Sequence, residues 1–170
     1  DVYKRQTMQR LADDIAAHLA PRSLAYHDIW LNGARQTEDS EQIVDEPIYG
    51  KVYLPRKFKI GIALPDDNCI DIHAQDLGFL GVIEQGQLVG FDVLVGGGMG
   101  LTNSRGDTFA HLGQAMCFVP VVGVVAAAEA VVKLYRDHGN RADRKRARIK
   151  YLVADWGVEK FRATLAEYLG

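Results

Sequence analysis

FLGVIEQGQLVGFDVLV, residues 79–95, decides the fold class. Residues 79–84 and 88–95 are apolar runs rich in β-branched and aromatic side chains, and Gln85-Gly86-Gln87 lies between them. Two such runs so close together must reverse direction within one turn, so they form a β-hairpin. Upstream, residues 51–54 and 59–64 are shorter strand candidates, divided by Pro55 and closed by Pro65-Asp66-Asp67. Residues 24–31 mix aromatic and β-branched side chains and run into Asn32-Gly33, which reads as a strand entering a turn. Between them, residues 36–46 hold five Asp or Glu side chains and are expected to form an exposed loop.

Helical spacing marks both ends of the chain. Met8, Leu11, Ala12, Ile15 and Leu19 share one face of a helix over residues 8–19, and Pro21 stops it. The final third predicts helices over residues 121–138, closed by Gly139-Asn140, then 141–155 and 158–169. Strands followed by helices, with a hairpin inside, indicate an α+β domain: a mixed, largely antiparallel sheet with helices packed on it.

Composition narrows the function classes. The 170 residues are 48% hydrophobic and 25% charged, enough for one ordinary domain with a sizeable core. A formal net charge of -2 argues against a nucleic-acid partner held by bulk charge, so any cationic site must be local. The longest apolar stretch, residues 119–128, is broken by Pro120 and Gly123, which argues against a membrane span. Residues 1–6 lack an initiator Met and a signal-peptide apolar region; they read as a truncation edge, with cytoplasmic residence as the default. Cys69 and Cys117 stand far apart without a partner at metal-ligand spacing, and two reduced, buried thiols are expected. The five histidines show no paired ligand spacing, and no serine sits in a Gly-x-Ser-x-Gly elbow, so hydrolase chemistry has no support.

Three segments have residue types suited to ligands. Arg56-Lys57-Phe58-Lys59 opens the strand predicted from residue 59; alternation sends Lys57 and Lys59 to one face, where an anion would relieve their repulsion. A solvated strand edge blunted by lysine gives the same pattern. Gly96-Gly97-Gly98-Met99-Gly100 follows the strand ending at Val95; it fails the dinucleotide fingerprint, which leaves a flexible turn or close backbone approach to a flat macrocycle. Residues 141–150 hold six basic side chains and one acid, and on a helix Arg141, Arg144, Lys145 and Arg148 would form a cationic column. Such a column is a solvated face, a site for a multi-anionic ligand, or a nucleic-acid contact.

The runs Ala25-Tyr26-His27-Asp28-Ile29-Trp30-Leu31, Tyr53-Leu54-Pro55-Arg56-Lys57-Phe58-Lys59, Phe91-Asp92-Val93-Leu94-Val95-Gly96-Gly97-Gly98 and Gly139-Asn140-Arg141-Ala142-Asp143-Arg144-Lys145 occur in the order and spacing of one family. Over residues 7–170 the chain resembles the central, siroheme-binding domain of the assimilatory sulfite reductase hemoproteins, and the Leu-Pro-Arg-Lys-Phe-Lys element lies closer to these than to the related nitrite reductases. The resemblance implies six-electron reduction of sulfite to sulfide, for sulfur assimilation and cysteine biosynthesis, on siroheme coupled to a 4Fe-4S cluster. Lys57 and Lys59 match the lysines that hold sulfite and supply protons, and Arg56 matches an anion- or cofactor-binding arginine. Gly96, Gly97 and Gly98 match backbone passing close to the macrocycle. Asn140, Arg144, Lys145 and Arg148 match part of the shell around its eight carboxylates.

The same resemblance marks departures. The family's four cluster cysteines have no counterpart here, since Cys69 and Cys117 match none of them, so no metal ligand is expected in these residues. A substrate-binding N-terminal half-domain is also without counterpart. The chain is therefore expected to be part of a longer enzyme, inactive alone, whose electron donor is a flavoprotein or ferredoxin. A nitrite reductase segment and a non-redox module that binds a small polyanion are the alternatives.

Overall fold

The computed structural model describes residues 2–22, 30–32, 34, 35 and 46–170. The expected strand over 24–31 lies outside these except for its end, and the acidic loop lies outside except for Glu46. In chain order the elements are helix α1 (Val2–His18), strands β1 (Trp30–Leu31), β2 (Ala34–Arg35), β3 (Ile60–Ala63), β4 (Leu77–Glu84), β5 (Gln87–Val95) and β6 (Gln114–Pro120), then helices α2 (Val124–His138), α3 (Ile149–Trp156) and α4 (Val158–Leu169). β1 and β2 form a small antiparallel pair. The larger sheet has the order β3-β4-β5-β6, with β3 parallel to β4 and the other pairs antiparallel. The expected α+β class and mixed sheet are both present.

The hairpin organises this sheet. Glu84 and Gln87 close it, so the turn has two residues rather than three, and Gln85 (φ 49°) and Gly86 (φ 79°) both take the left-handed conformation. That geometry matches the right-handed twist of the flanking strands. Phe79 and Phe91, both fully buried, meet edge to face with centroids 6.3 Å apart. Behind them lies α2, whose Ala127, Ala128 and Ala130 let the helix approach closely; Phe161 and Leu165 of α4 and Leu11 and Ile15 of α1 complete the same core. α1 is held to α2 by Glu129, which accepts from Lys133 at 2.5 Å and meets His18 Nε2 at 2.5 Å.

Four points of the expected layout need correction. Residues 51–54 are not a strand: they leave a turn that bridges Glu46 to Gly50, and Tyr53 sits at φ 53°. β6, absent from the sequence reading, forms the far edge of the sheet; its apolar run merges with the start of α2, and Pro120 is tolerated because it ends an edge strand. Residues 141–148 are not helical. Asn140 Oδ1 accepts from the N–H groups of Ala142 and Asp143, and Asp143 Oδ1 accepts from Lys145 N–H, so side chains capture the donors a helix would need. Helix returns only at Ile149, and α1 starts at Val2, not at residue 8.

Gly139 ends α2 in an extended conformation (φ -67°), so its role is space, not left-handed freedom. A Cβ there would sit 2.6 Å from Pro55 Cγ and 2.6 Å from the Tyr135 carbonyl oxygen. We expect Gly139→Ala to push residue 55 off the helix end and to cost about 2 kcal/mol, measured by denaturant unfolding. Glu129 supplies a pH prediction. Hydrogen bonds from Lys133 and His18 hold its carboxyl below the ordinary 4.5, so its contribution is present above that value and fades as the pH falls through the lowered one. The Tm difference between the wild type and Glu129→Gln is therefore largest near neutral pH and closes in acid.

Candidate functional site

The segment carrying Arg56, Lys57 and Lys59 is irregular, so other elements must hold it. Arg136 donates to the Ile48 carbonyl at 2.6 Å, and Arg141 donates to the carbonyls of Val52 at 3.0 Å and Tyr53 at 2.5 Å. Phe58 stacks on Tyr135, with centroids 5.6 Å apart. The Tyr135 hydroxyl, pushed up by burial and thus kept as a donor, gives its hydrogen to the Ala147 carbonyl at 2.6 Å. Arg141 is thereby a backbone clamp, which explains a basic residue in the 141–150 run without any ligand.

Between α1 and this segment lies a cavity of about 1190 Å³. Its walls are apolar: Met8, Ala12 and Ala16 from α1, and Phe58, Ile60 and Ile62 opposite. Arg5, Arg56, Lys57 and Arg144 place cationic groups on its lining. Among the described residues no carboxylate pairs with Arg56, Lys57 or Arg144, whereas Arg105, Arg136, Arg146, Arg148 and Arg162 each have one. Cations gathered without counter-charge repel one another, and an anionic ligand relieves that cost.

The other expected site residues lie elsewhere. Lys59 is exposed and does not line the cavity; neither lysine is on a strand, since β3 begins at Ile60, so the shared strand face is not formed. Lys145 is exposed, and the Asn140 side chain is taken up by its own turn. Gly96, Gly97 and Gly98 are buried against the protein itself. A Cβ on Gly96 (φ 91°) would meet Val153 at 2.9 Å, one on Gly97 would strike the His73 and Gln75 carbonyls, and one on Gly98 would lie 2.7 Å from Arg148 Nη1. The run is thus a packed loop whose glycines are required by close approach of its own chain.

Two residues that sequence reasoning did not single out organise this second cluster. Asp76 is fully buried; its Oδ1 accepts from Arg148 Nε at 3.1 Å and Nη2 at 2.8 Å, and its Oδ2 accepts from Lys59 N–H at 3.0 Å. Burial pushes its carboxyl up, opposed by Arg148. Lys150 is buried too, and its Nζ donates to the carbonyls of Gly98 at 3.0 Å, Gly100 at 2.6 Å and Phe109. Burial holds its pKa below the ordinary lysine range, with Arg148 adding to the effect. The signal for Lys150 was its place between apolar Ile149 and Tyr151 at the start of a buried helix. Replacing it with Met strands three carbonyls; we expect a loss of about 3 kcal/mol by chemical denaturation, with the 96–111 region losing amide protection before the hairpin does.

The thiols differ from expectation. Cys69 is exposed and donates to Asp67 Oδ1 at 2.6 Å, and Cys117 is half-buried. The aspartate partner raises the Cys69 pKa and burial raises that of Cys117, so neither favours the thiolate that binds iron. Among the described residues no group of three His, Cys, Asp or Glu side chains is placed to hold a metal, and no helix is long and apolar enough to cross a membrane.

Comparison with known proteins gives concordant matches. The family model described as the nitrite and sulphite reductase 4Fe-4S domain matches residues 12–170. The sulfite reductase [NADPH] hemoprotein beta-component of Staphylococcus haemolyticus is 50% identical over 159 residues, covering 94% of this chain and 27% of that protein. The protein of the same name from Staphylococcus epidermidis is 47% identical over 171 residues, covering 99% of this chain and 30% of that protein. Among solved structures, the Mycobacterium tuberculosis NirA protein is 36% identical with a TM-score of 0.58, covering 68% of this chain and 20% of that one. The chain thus spans less than a third of the length of these relatives.

Proposed function

We propose that the chain, which belongs to the nitrite and sulphite reductase 4Fe-4S domain family, holds siroheme by the carboxylates in its cavity as part of a sulfite reductase. The observation that carries this is the large apolar cavity lined by Arg56, Lys57 and Arg144, cations that lack carboxylate partners among the described residues. A flat macrocycle edged with carboxylates needs apolar walls for its faces and cations for its rim, and these residues fit that demand. The 4Fe-4S cluster does not fit here, because the two free thiols are not gathered into a ligand set. Its ligands belong to other parts of the enzyme, and no step is assigned to it from these residues.

When bound, siroheme supplies the electron-rich iron centre at which sulfite is reduced by six electrons. Arg56 and Arg144 offer N–H donors to carboxylates, and the planar guanidinium suits bidentate contact. Lys57, exposed on the cavity lining, presents an ammonium group with three N–H donors to an incoming oxyanion and can pass a proton to an oxygen leaving as water. Lys59 lies two residues further on and adds positive potential along the approach. Phe58, stacked on Tyr135, gives that side of the pocket an apolar wall.

Sulfite is favoured as substrate because the curated relatives carry that name; nitrite is the alternative, because the family description names both. Residues 7–170 are then one siroheme-binding domain of a longer cytoplasmic enzyme serving sulfur assimilation, supplied with electrons by a flavoprotein or ferredoxin. Alone it turns nothing over. The same cations would also serve a module that captures a polyanion without redox chemistry.

Titration with metal-free uroporphyrin, an octacarboxylate, followed by fluorescence tests the assignment. Binding is expected to be at least tenfold tighter than for the tetracarboxylate coproporphyrin and to weaken with salt; Lys57→Gln and Arg144→Gln are each expected to weaken it about threefold to tenfold. Equal affinity for both porphyrins, or indifference to both substitutions, contradicts it. Tight binding of an inorganic polyphosphate with no porphyrin binding favours the non-redox module.

A further inference from the structure

The main chain of Lys59 is held at both ends. Its N–H donates to Asp76 Oδ2 at 3.0 Å, and its carbonyl accepts from Leu77 N–H at 3.1 Å. The next residue, Ile60, is the register partner of Leu77, so the point where the lysine segment enters the sheet is fastened to the start of β4. Asp76 is also joined to the glycine loop: its carbonyl accepts from Gly96 N–H at 2.9 Å. Arg148 closes the arrangement, donating to Asp76 Oδ1 through two nitrogens and to the Gly97 carbonyl at 3.3 Å.

We propose that Asp76 and Arg148 form a positioning pair that fixes Lys59 and the loop of residues 96–98 against each other, and so sets where the cations of residues 56–59 are presented. Arg148 has its guanidinium turned inward, with its side chain 16% exposed and that of Asp76 at 0%. Donors used on Asp76 and Gly97 are withheld from an external carboxylate, so Arg148 acts through Asp76 rather than as a cofactor contact. The charge on Asp76 matters, because a neutral side chain would leave the guanidinium without its counter-ion. A carboxylate also makes a shorter, stronger bond to a backbone N–H than a neutral acceptor does. What the presented cations bind rests on the function proposed above; the pair itself rests on geometry alone.

The test is NMR on the isotopically labelled chain. Lys59 N–H is the reporter because its acceptor is Asp76. Its amide proton shift is expected to follow the Asp76 carboxyl carbon through one shared midpoint, above the ordinary aspartate value of 3.8. Arg148, Lys59, Tyr135 and Lys150 are the other titratable groups facing Asp76, and His111 meets the neighbouring Gly96 carbonyl at 2.8 Å. His111→Gln serves as the control for the ring beside the Gly96 carbonyl. In Asp76→Asn, hydrogen exchange at Lys59 is expected to speed up about tenfold while the amides of Val93 and Ala128 keep their rates. A Lys59 amide that ignores the Asp76 titration, or keeps its exchange rate in the variant, overturns the proposal. If the variant does not fold, the shared midpoint in the wild type decides alone. Failure of uroporphyrin to bind a chain that shows the shared midpoint contradicts the cofactor assignment and leaves the pair standing.

Discussion

A carboxylate with no exposed surface must have its charge met by donors, and Asp76 is placed where meeting it ties three distant segments together. Arg148 comes from the start of α3, Lys59 from the approach to β3, and Gly96 from the end of β5. Breaking a buried pair of this kind by removing one partner costs on the order of 3–5 kcal/mol, because the remaining charge is left without compensation. That is a large share of the stability of a small domain. The hairpin and α2 supply most of the apolar burial, yet the placement of the site depends on this one polar contact.

The cavity shows the opposite use of charge. Six arginines in the described part of the chain are neutralised by carboxylates or employed on backbone carbonyls, as with Arg105 against Asp143 and Arg141 against Tyr53. Arg56, Lys57 and Arg144 are kept together on a concave, largely apolar surface with no such partner among the described residues. Mutual repulsion there is modest in water and grows as the pocket dries, so a polyanionic occupant gains most when it also expels solvent. Apolar walls and a cationic edge thus favour the same class of ligand for two separate reasons.

Periodicity made the hairpin, α2 and α4 legible, because each carries its own apolar pattern between clear breakers. It failed where side chains compete with the backbone. The basic run at 141–148 has helical spacing, but Asn140 and Asp143 take the donors, a local hydrogen-bond choice that charge counting does not register. β6 was hidden because its apolar residues continue into α2 without a polar break. Arg56, Lys57 and Arg144 were legible as basic residues in suggestive runs, and the fold gathers them on one cavity. Lys59 was paired with Lys57 by strand alternation and Arg148 with the basic run by helical spacing, and the fold forms neither the strand face nor the helix that those readings need. Asp76 escaped notice because an acid between a turn and a strand looks like turn chemistry; only the sheet register shows that it faces inward against an arginine 72 positions away.

In the proposed assignment siroheme occupies the cavity beside α1, its carboxylates at Arg56 and Arg144 and the Lys57 ammonium facing the substrate. The most direct measurement is a crystal structure of a siroheme-loaded reductase that contains this sequence. Macrocycle carboxylates are expected within hydrogen-bonding distance of Arg56 and Arg144, with Lys57 facing the space an oxyanion would enter and Arg148 still turned onto Asp76. A macrocycle bound elsewhere, with the cavity filled by polypeptide from outside these residues, would contradict it.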